Sequence, residues 1–211
     1  MSYIDIVKHY EGCFKVHGDN HKGVDWPKEE DVKTRYEVML EVMKFDSRKN
    51  QNKVSILDFG CGLGHLYSYI LEHHVDVIYA GLDASKLFVE RCREKFSDVN
   101  FFECDLLSDD TEGFPPKYDY IIMNGVFTEK ETLSQKEMMD YFQKLVMKVY
   151  AKCNYGIAFN VMSKDVDWER EDLFHLPLNE LSSFLTKNIT RDFIIRNDYG
   201  LYEYTVYVYR R

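Results

Sequence analysis

The stretch ILDFGCGLGHL at residues 56–66 decides how this chain folds. It places three glycines at alternate positions, Gly60, Gly62 and Gly64, and an acidic residue, Asp58, stands before them near the end of an apolar run. A buried strand, a glycine turn and a helix start let a nucleotide-like ligand approach the main chain, because glycine has no Cβ and tolerates positive φ. We therefore expect a ligand-binding α/β unit to begin here.

Strand-like and helix-like segments alternate after this turn. Hydrophobic periodicity predicts strands at 54–59, 75–83, 99–104, 118–124 and 155–162 and helices at 63–73, 85–96 and 135–151. Such alternation with short connections implies a parallel sheet covered by helices on both faces. The tail differs, because residues 190–196 and the alternating aromatic run at 201–210 flank a turn-rich NDYG and read as a hairpin. The last strand should therefore lie antiparallel on an otherwise parallel sheet.

Residues 1–50 precede this core and are predicted as an N-terminal lid or substrate segment. Apolar spacing predicts a helix over Pro27–Phe45, whereas residues 9–26, rich in glycine, histidine and aromatics, are interpreted as a structured lid or active-site loop. A solvent-exposed, partly disordered terminus is the alternative. We expect a single domain over residues 1–211, in which residues 51–211 form the cofactor-binding core.

Composition narrows the class of partner. The net charge of −9 argues against a nucleic acid, whose binding draws on lysines and arginines, so a small molecule is the expected partner. The absence of a long apolar run or a signal-like N-terminus predicts a cytoplasmic protein that does not engage membranes. Five widely spaced cysteines predict buried thiols rather than disulfides, and no histidine or cysteine pair has metal-knuckle spacing, so we expect no metal site.

Polar residues follow each of the next three strands. Asp83 ends the second strand, where a carboxylate can accept both ribose hydroxyls; Asp105 and Leu106 follow the third, and Asn124 closes the fourth. Each has a plainer alternative: Asp83 as a helix N-cap, Asp105 as a solvated loop acid, and Asn124 as part of an Asn-Gly turn. The three glycines could likewise serve only tight strand-to-helix packing.

Together these residues resemble class I S-adenosylmethionine (SAM)-dependent methyltransferases over residues 54–211. The resemblance rests on D58-x-G-x-G-x-G64, Asp83, Asp105, Asn124 and the C-terminal hairpin. It implies a Rossmann-like, doubly wound α/β fold with a mostly parallel seven-stranded sheet, an antiparallel C-terminal hairpin strand and an N-terminal helical lid. It also implies SAM as cofactor, bound by Asp58, Gly60, Cys61, Gly62, Asp83, Ala84, Asp105, Leu106, Asn124 and Tyr10.

The acceptor is less constrained by the residues. Asn124-Gly125-Val126-Phe127 lacks the two prolines of nucleic-acid amino methyltransferases, which disfavours a base as substrate. Asn124 and His17 are the catalytic candidates, and the predicted substrate-binding residues are Tyr3, Lys22, Trp26, Arg35 and Tyr36. Residues 163–177 should also overhang the cleft, with Trp168, Arg170 and His175 as secondary candidates.

A weaker resemblance to methyltransferases of bacterial surface-polysaccharide (capsule) and secondary-metabolite functions suggests N-methylation of an amine such as an amino-alcohol phosphate. The alternatives are an O-methyltransferase of a sugar or other small hydroxyl acceptor and a non-catalytic SAM-binding module. A nicotinamide dehydrogenase is disfavoured, because His65 occupies the third small position of the dinucleotide fingerprint and Asp58 would repel a pyrophosphate. The last strand, expected to be exposed, and its aromatics could support a homodimer.

Overall fold

The structure is a computed structural model that describes residues 3–48, 53–108 and 113–210. In it, a β-sheet is covered by helices on both faces. The predicted boundary between residues 50 and 51 lies outside the described residues. The helices are α1 (Ile4–His17), α2 (Glu29–Leu40), α3 (His65–Glu72), α4 (Lys86–Lys95), α5 (Gln135–Lys152) and α6 (Leu178–Asn188), with a 3₁₀ turn at His21–Val24. The strands are β1 (Val54–Phe59), β2 (Val77–Asp83), β3 (Asn100–Glu103), β4 (Tyr118–Phe127), β5 (Cys153–Ser163), β6 (His175–Leu176), β7 (Phe193–Arg196) and β8 (Glu203–Tyr209).

The strand order is β3-β2-β1-β4-β5-β8-β7, and the short β6 pairs with β5 off this path. Only β8 runs antiparallel to its neighbours, β5 and β7. The predicted doubly wound fold with an antiparallel C-terminal strand is therefore confirmed, although β6 adds an eighth strand to the predicted seven. The order reverses between β1 and β4, and open α/β sheets bind ligands at such a switch point.

The strand β1 lies at the centre of the sheet. It pairs in parallel with β2 on one side and β4 on the other, for example Leu57 with Ala80 and with Ile121. Its last four residues are buried, because a parallel strand covered by helices on both faces meets no water. The glycine turn that follows is thus held at the middle of the sheet's carboxyl edge.

Two apolar layers flank the sheet. On one face α5 and α6 pack, with Phe142 and Leu185 fully buried, and on the other face lie α2, α3 and α4, with Met39 and Val89 fully buried. Each helix buries one stripe of side chains at helical spacing. The helix α6 and strand β6 were not predicted from the sequence, which assigned residues 163–177 only as an overhang.

The N-terminal segment departs from the predicted loop. Residues 4–17 form the helix α1, whose Ile6 joins the core, and α2 is shorter than the predicted Pro27–Phe45. The helix α1 and the 3₁₀ turn together cover the carboxyl edge of the sheet, since residues from both line the cleft described below. This is the position in which a lid would lie.

The expectation that the aromatic residues of β8 are exposed is wrong, whereas the possible homodimer stays a prediction. Tyr204, Tyr207 and Tyr209 are buried, and the hydroxyls of Tyr207 and Tyr209 donate to the carbonyls of Val38 and Val42. They therefore fasten the segment around α2 to the sheet. All five cysteines are free thiols, of which Cys61, Cys92, Cys104 and Cys153 are buried and Cys13 is half-buried. Among the helices of the described ranges, none combines the length and apolar character needed to cross a bilayer.

Gly64 is the glycine of the turn whose role is packing. Its φ is +71°, and a Cβ there would lie 2.9 Å from the Phe96 ring and 3.2 Å from the Cys92 sulfur of α4. Gly200 has a similar φ of +77° with nothing within 4 Å of its Cβ position. Both alanine substitutions therefore strain the backbone, but only the Cβ of Gly64→Ala would also overlap neighbouring side chains.

We expect Gly64→Ala to lower the free energy of unfolding by about 1–3 kcal/mol more than Gly200→Ala, the usual cost of overpacking. Urea denaturation of the two variants measures the difference. Equal losses would show that the turn is not packed tightly against α4.

Candidate functional site: a cofactor cleft and an adjoining pocket

A cleft that is partly open to solvent lies at the carboxyl ends of β1, β2 and β4. The predicted residues that line it are Tyr3, Tyr10, Trp26, Gly60, Gly62, Asp83, Ala84, Asp105, Leu106 and Asn124. These come from six separate parts of the chain, which the fold brings to one edge. The lining is more apolar than the sequence indicated, because Ile6, Val7, Phe59, Phe88 and Leu145 also contribute.

The glycine turn forms the floor of the cleft. The amides of Gly60 and Cys61 both donate to the carbonyl of Leu82, at 2.7 and 3.0 Å, which ties the turn to β2. Gly60 has φ +76°, and a Cβ there would lie 2.7 Å from a methyl of Val126. A larger residue would therefore push into the cleft wall, whereas glycine leaves main chain open to a ligand.

Asp83 is both part of the floor and a support for the turn. Its carboxylate accepts from the amide of Gly62 at 2.8 Å and from the amide of Ser85 at 2.8 Å. Ser85, rather than Asp83, caps α4, since its hydroxyl accepts from the Phe88 amide. Burial raises the pKa of Asp83 to about 6, although these amide donors counteract the rise.

Asp58 and Cys61 lie behind the turn instead of in the cleft, which differs from their predicted contact with the cofactor. Asp58 is 3% exposed, and its carboxylate accepts from the Tyr79 hydroxyl at 2.8 Å. Burial raises the pKa of Asp58 to about 7, with a further contribution from Asp83. Both residues belong to the packing beneath the turn, because the alternation of β1 directs Asp58 away from the residues that line the cleft.

At the far end of the cleft, α1 contacts both acidic loops. The Tyr3 hydroxyl donates to Asp105 at 2.7 Å, and the Tyr3 ring stacks on Tyr141 with centroids 5.3 Å apart. The Ser85 hydroxyl donates to Glu11 of α1 at 2.6 Å. Burial, followed by the contact with Asp105, raises the pKa of Tyr3 to about 12. Asp105 is therefore a partner of the lid and not a solvated loop acid.

Asn124 has a hydrogen-bond acceptor to which none of the described residues donates. Its side-chain oxygen is buried and has no hydrogen-bond partner among the residues that the structure describes, and the residue lines the cleft. The following Gly125 remains in β4, where its amide donates to Asn160 at 2.8 Å, so the Asn-Gly pair is not a tight turn. An unmet buried acceptor costs free energy unless a ligand donates to it. The oxygen thus fits a bound group with a donor.

A second pocket adjoins the cleft, and Tyr10 and Trp26 line both cavities. Arg35 lies over the Trp26 ring, 4.2 Å from its centroid, and its guanidinium donates to Glu203 at 2.8 Å. Asn160 in turn donates to Glu203 at 2.9 Å. These contacts hold the wall between the two cavities, and Arg35 already has a carboxylate partner.

Glu129 is the residue of this pocket that sequence reasoning missed. It follows β4, is 7% exposed, and one of its carboxylate oxygens has no hydrogen-bond partner in the described ranges of the chain. Burial raises the pKa of Glu129 to about 8; Asp25, Asp172 and Glu131 raise it further, and Arg170 opposes them. In the sequence, Glu129 could have been noticed by its place five residues after Asn124, just beyond the same strand.

Besides Asp58 and Cys61, three further predicted residues lie away from both cavities. His17 is exposed near the end of α1, Lys22 is exposed on the 3₁₀ turn, and Tyr36 is buried on α2 beside Tyr69. None of them lines the cleft or the adjoining pocket. Their positions therefore give no support to a catalytic role for His17 or to substrate binding by Lys22 and Tyr36. Among the secondary candidates, Trp168, Arg170 and His175 do line the adjoining pocket.

The raised pKa of Glu129 predicts how stability depends on pH. The folded protein binds the Glu129 proton up to about pH 8, whereas the unfolded chain releases it near its ordinary pKa of about 4.3, so stability falls as pH rises across this window. Glu129→Gln removes this dependence. We expect the variant to have a higher melting temperature than the wild type at about pH 9 and a much smaller advantage at about pH 5, in differential scanning calorimetry. A gap that does not change with pH would contradict the burial of an uncompensated carboxylate.

Comparison with known proteins agrees with this geometry. Residues 57–147 match the family model Methyltransf_12, described as a methyltransferase domain. The chain is 25% identical over 159 residues to "Putative methyltransferase Rv1506c" of Mycobacterium tuberculosis, and the match covers 73% of this chain and 92% of that protein.

Two further proteins extend the likeness. The chain is 31% identical over 142 residues to malonyl-[acyl-carrier protein] O-methyltransferase 1 of Ilyobacter polytropus, covering 64% of this chain and 47% of that protein, less than half its length. Its fold matches the crystal structure of magnesium protoporphyrin IX methyltransferase from Synechocystis PCC 6803, with a TM-score of 0.64 at 16% identity over 100% of this chain and 98% of that one. Residues 57–147 thus resemble a methyltransferase domain, and the chain as a whole has the fold of a structure solved with S-adenosylmethionine bound.

Proposed function

We propose that this protein transfers the methyl group of SAM to a small polar acceptor held in the adjoining pocket, preferably to the nitrogen of an amine. The observation that carries the proposal is the placement of a buried, partnerless carboxylate oxygen of Glu129 in a pocket that shares the wall residues Tyr10 and Trp26 with the cofactor cleft. Methyl transfer needs a nucleophile aligned with the sulfonium methyl, and two adjoining cavities are suited to that alignment.

The residues of the cleft support SAM as the ligand. Gly60 and Gly62 would lie against its methionine and ribose portions, Asp83 would accept the ribose hydroxyls, and Asp105 with Leu106 would border the adenine. The Synechocystis enzyme with the same fold was crystallised with SAM bound. The partnerless oxygen of Asn124 is the acceptor available to a donor group of the cofactor or of the substrate.

The charges of the adjoining pocket favour an amine. Its acidic residues are Asp25, Asp31, Glu129, Asp167 and Glu203. Of its cations, Arg35 pairs with Glu203 and Arg170 pairs with Asp172, which leaves Lys28 without an ion pair among the described residues. A positively charged amine therefore finds a complementary surface. An amino-alcohol phosphate fits only if Lys28 binds the phosphate.

Glu129 has the chemistry that an amine acceptor requires. SAM supplies an electrophilic methyl group, and only a neutral nitrogen with a free lone pair can attack it. With a pKa of about 8, Glu129 becomes ionised as pH approaches 8, and its ionised form can take the ammonium proton, because a base works best when its pKa lies close to the working pH. Glu129 would thus bind the charged amine and accept its proton before the new N–C bond forms.

Transfer to oxygen is the second candidate. It is favoured by the likeness to the Ilyobacter protein, whose name describes an O-methyltransferase. A hydroxyl acceptor would also use Glu129 as its base, although it would gain nothing from the surplus of carboxylates around it. The two candidates differ in whether amines or alcohols are the better substrates.

Asn124→Ala tests the cofactor cleft. Removing a buried acceptor that has no partner should leave the melting temperature unchanged or higher, whereas SAM affinity or kcat/KM should fall at least about tenfold if a bound group donates to it. Calorimetric SAM titration and release of S-adenosylhomocysteine measure the two effects, and Asn188→Ala on α6 is the control. A variant with wild-type affinity and turnover would exclude Asn124 from the site.

Glu129→Gln tests the acceptor. Over a panel of amines, amino-alcohol phosphates and sugars, we expect amines to be the better substrates and the variant to lower kcat/KM for them by about 10²–10⁴-fold, the usual contribution of a positioned acid or base. SAM affinity should not change, and Glu180→Gln on the exposed face of α6 should behave as the wild type. SAM binding without turnover of any acceptor would favour a non-catalytic SAM-binding module.

A further inference from the structure

A histidine, a cysteine and an aspartate converge beside the acceptor pocket, and the histidine and the cysteine have no role in the proposed transfer. His9 and Cys13 lie one turn apart on α1, and side chains four residues apart project from the same face of a helix. Asp25 follows the 3₁₀ turn. The His9 Nε2 atom lies 2.9 Å from an Asp25 carboxylate oxygen and 3.6 Å from the Cys13 sulfur, and the three ligand atoms lie within 4.8 Å of one another.

The other imidazole nitrogen has a partner of its own. His9 Nδ1 lies 3.2 Å from a carboxylate oxygen of Glu131. Metal-binding histidines usually donate their second ring N–H to a carboxylate, which fixes the ring orientation and leaves the first nitrogen for the metal. His9 therefore has both halves of that arrangement: an outer carboxylate on Nδ1, and a thiol and a second carboxylate facing Nε2.

The charges around His9 are also unbalanced. Asp25 and Glu131 both contact its ring, so one imidazolium cannot neutralise the pair. Both residues have positive φ, 56° and 50°, and they are two of three such non-glycine residues in the described ranges. A positive φ costs a non-glycine residue free energy. In this conformation, the carboxylates of Asp25 and Glu131 both contact the His9 ring. An additional cation would neutralise the surplus charge.

We propose that His9 Nε2, Cys13 Sγ and an Asp25 carboxylate oxygen bind a divalent transition metal of the zinc type. Thiolate and imidazole select such metals over magnesium or calcium, which prefer oxygen ligands. Three protein ligands leave one coordination position for water or another small ligand. On binding, bonds form from the sulfur, the nitrogen and the oxygen to the metal, and the Cys13 thiol proton passes to solvent.

Such a metal would stabilise the lid in its place over the sheet edge. It would join α1 to the loop that carries Trp26, which lines both cavities. This inference does not depend on methyl transfer, since metal binding is measured without SAM or an acceptor. The competing explanation is a hydrogen-bonded latch of Asp25, His9 and Glu131, in which the Cys13 sulfur has no function.

Cobalt(II) distinguishes the two, because a cobalt–thiolate bond gives a charge-transfer absorption band that a latch cannot produce. The full chain, stripped with a chelator, is titrated with Co²⁺ alone. We expect one Co²⁺ per chain with a near-ultraviolet charge-transfer band, displacement by Zn²⁺ and no displacement by Mg²⁺. Cys13→Ser should remove the band, which would also show that the band does not come from another cysteine.

Two variants complete the test. Glu131→Gln keeps all three ligands and should weaken Co²⁺ binding by about 10–100-fold, the usual effect of losing an outer carboxylate. His17→Gln, an exposed histidine on the same helix, should bind as the wild type. Circular dichroism confirms that each variant is folded. The proposal is overturned if no band appears, if the band persists in Cys13→Ser, or if Glu131→Gln binds Co²⁺ like the wild type.

Discussion

The attachment of the glycine turn to the end of β2 is the constraint on which the cofactor cleft depends. Two consecutive amides, those of Gly60 and Cys61, share the Leu82 carbonyl, and the Gly62 amide donates to Asp83. These bonds direct three successive N–H groups toward β2, so the opposite side of the turn is bare main chain. The same attachment holds Asp58 in the packing beneath the turn, where Tyr79 is its partner.

Most of the fold could be predicted from local sequence patterns, because its helices and strands are periodic in hydrophobicity and their ends carry recognisable turn and cap residues. The buried run 54–59, the alternate glycines and the capping serine at Ser85 each determine structure within a few residues. What escaped was governed by distant contacts. The helix α1 is rich in residues that favour other structures, and it is held in place by contacts of Tyr3 and Glu11 with loops about 75–100 residues away.

The residues of the candidate site also divide into those that local sequence patterns predict and those that depend on distant contacts. Asp83, Asp105 and Asn124 were identifiable because the carboxyl ends of parallel strands meet at one edge. Glu129 and the His9 cluster were not, since their chemistry arises where α1, the loop after the 3₁₀ turn and the segment after β4 come together. Residue type alone also misled: Arg35, Lys22 and His17 are cations or potential cations in sequence, yet one is paired with Glu203 and two lie outside the cavities.

The wall formed by Tyr10 and Trp26 belongs to both cavities, and this has a thermodynamic consequence. A ligand that orders the Tyr10 and Trp26 rings from one cavity also orders the wall that a second ligand contacts in the other cavity. Their binding free energies are then linked, and linkage is reciprocal: the factor by which cofactor tightens acceptor binding equals the factor by which acceptor tightens cofactor binding. The demethylated cofactor would be coupled to the methylated product in the same way. Dissociation of one product would therefore lower the affinity of the protein for the other.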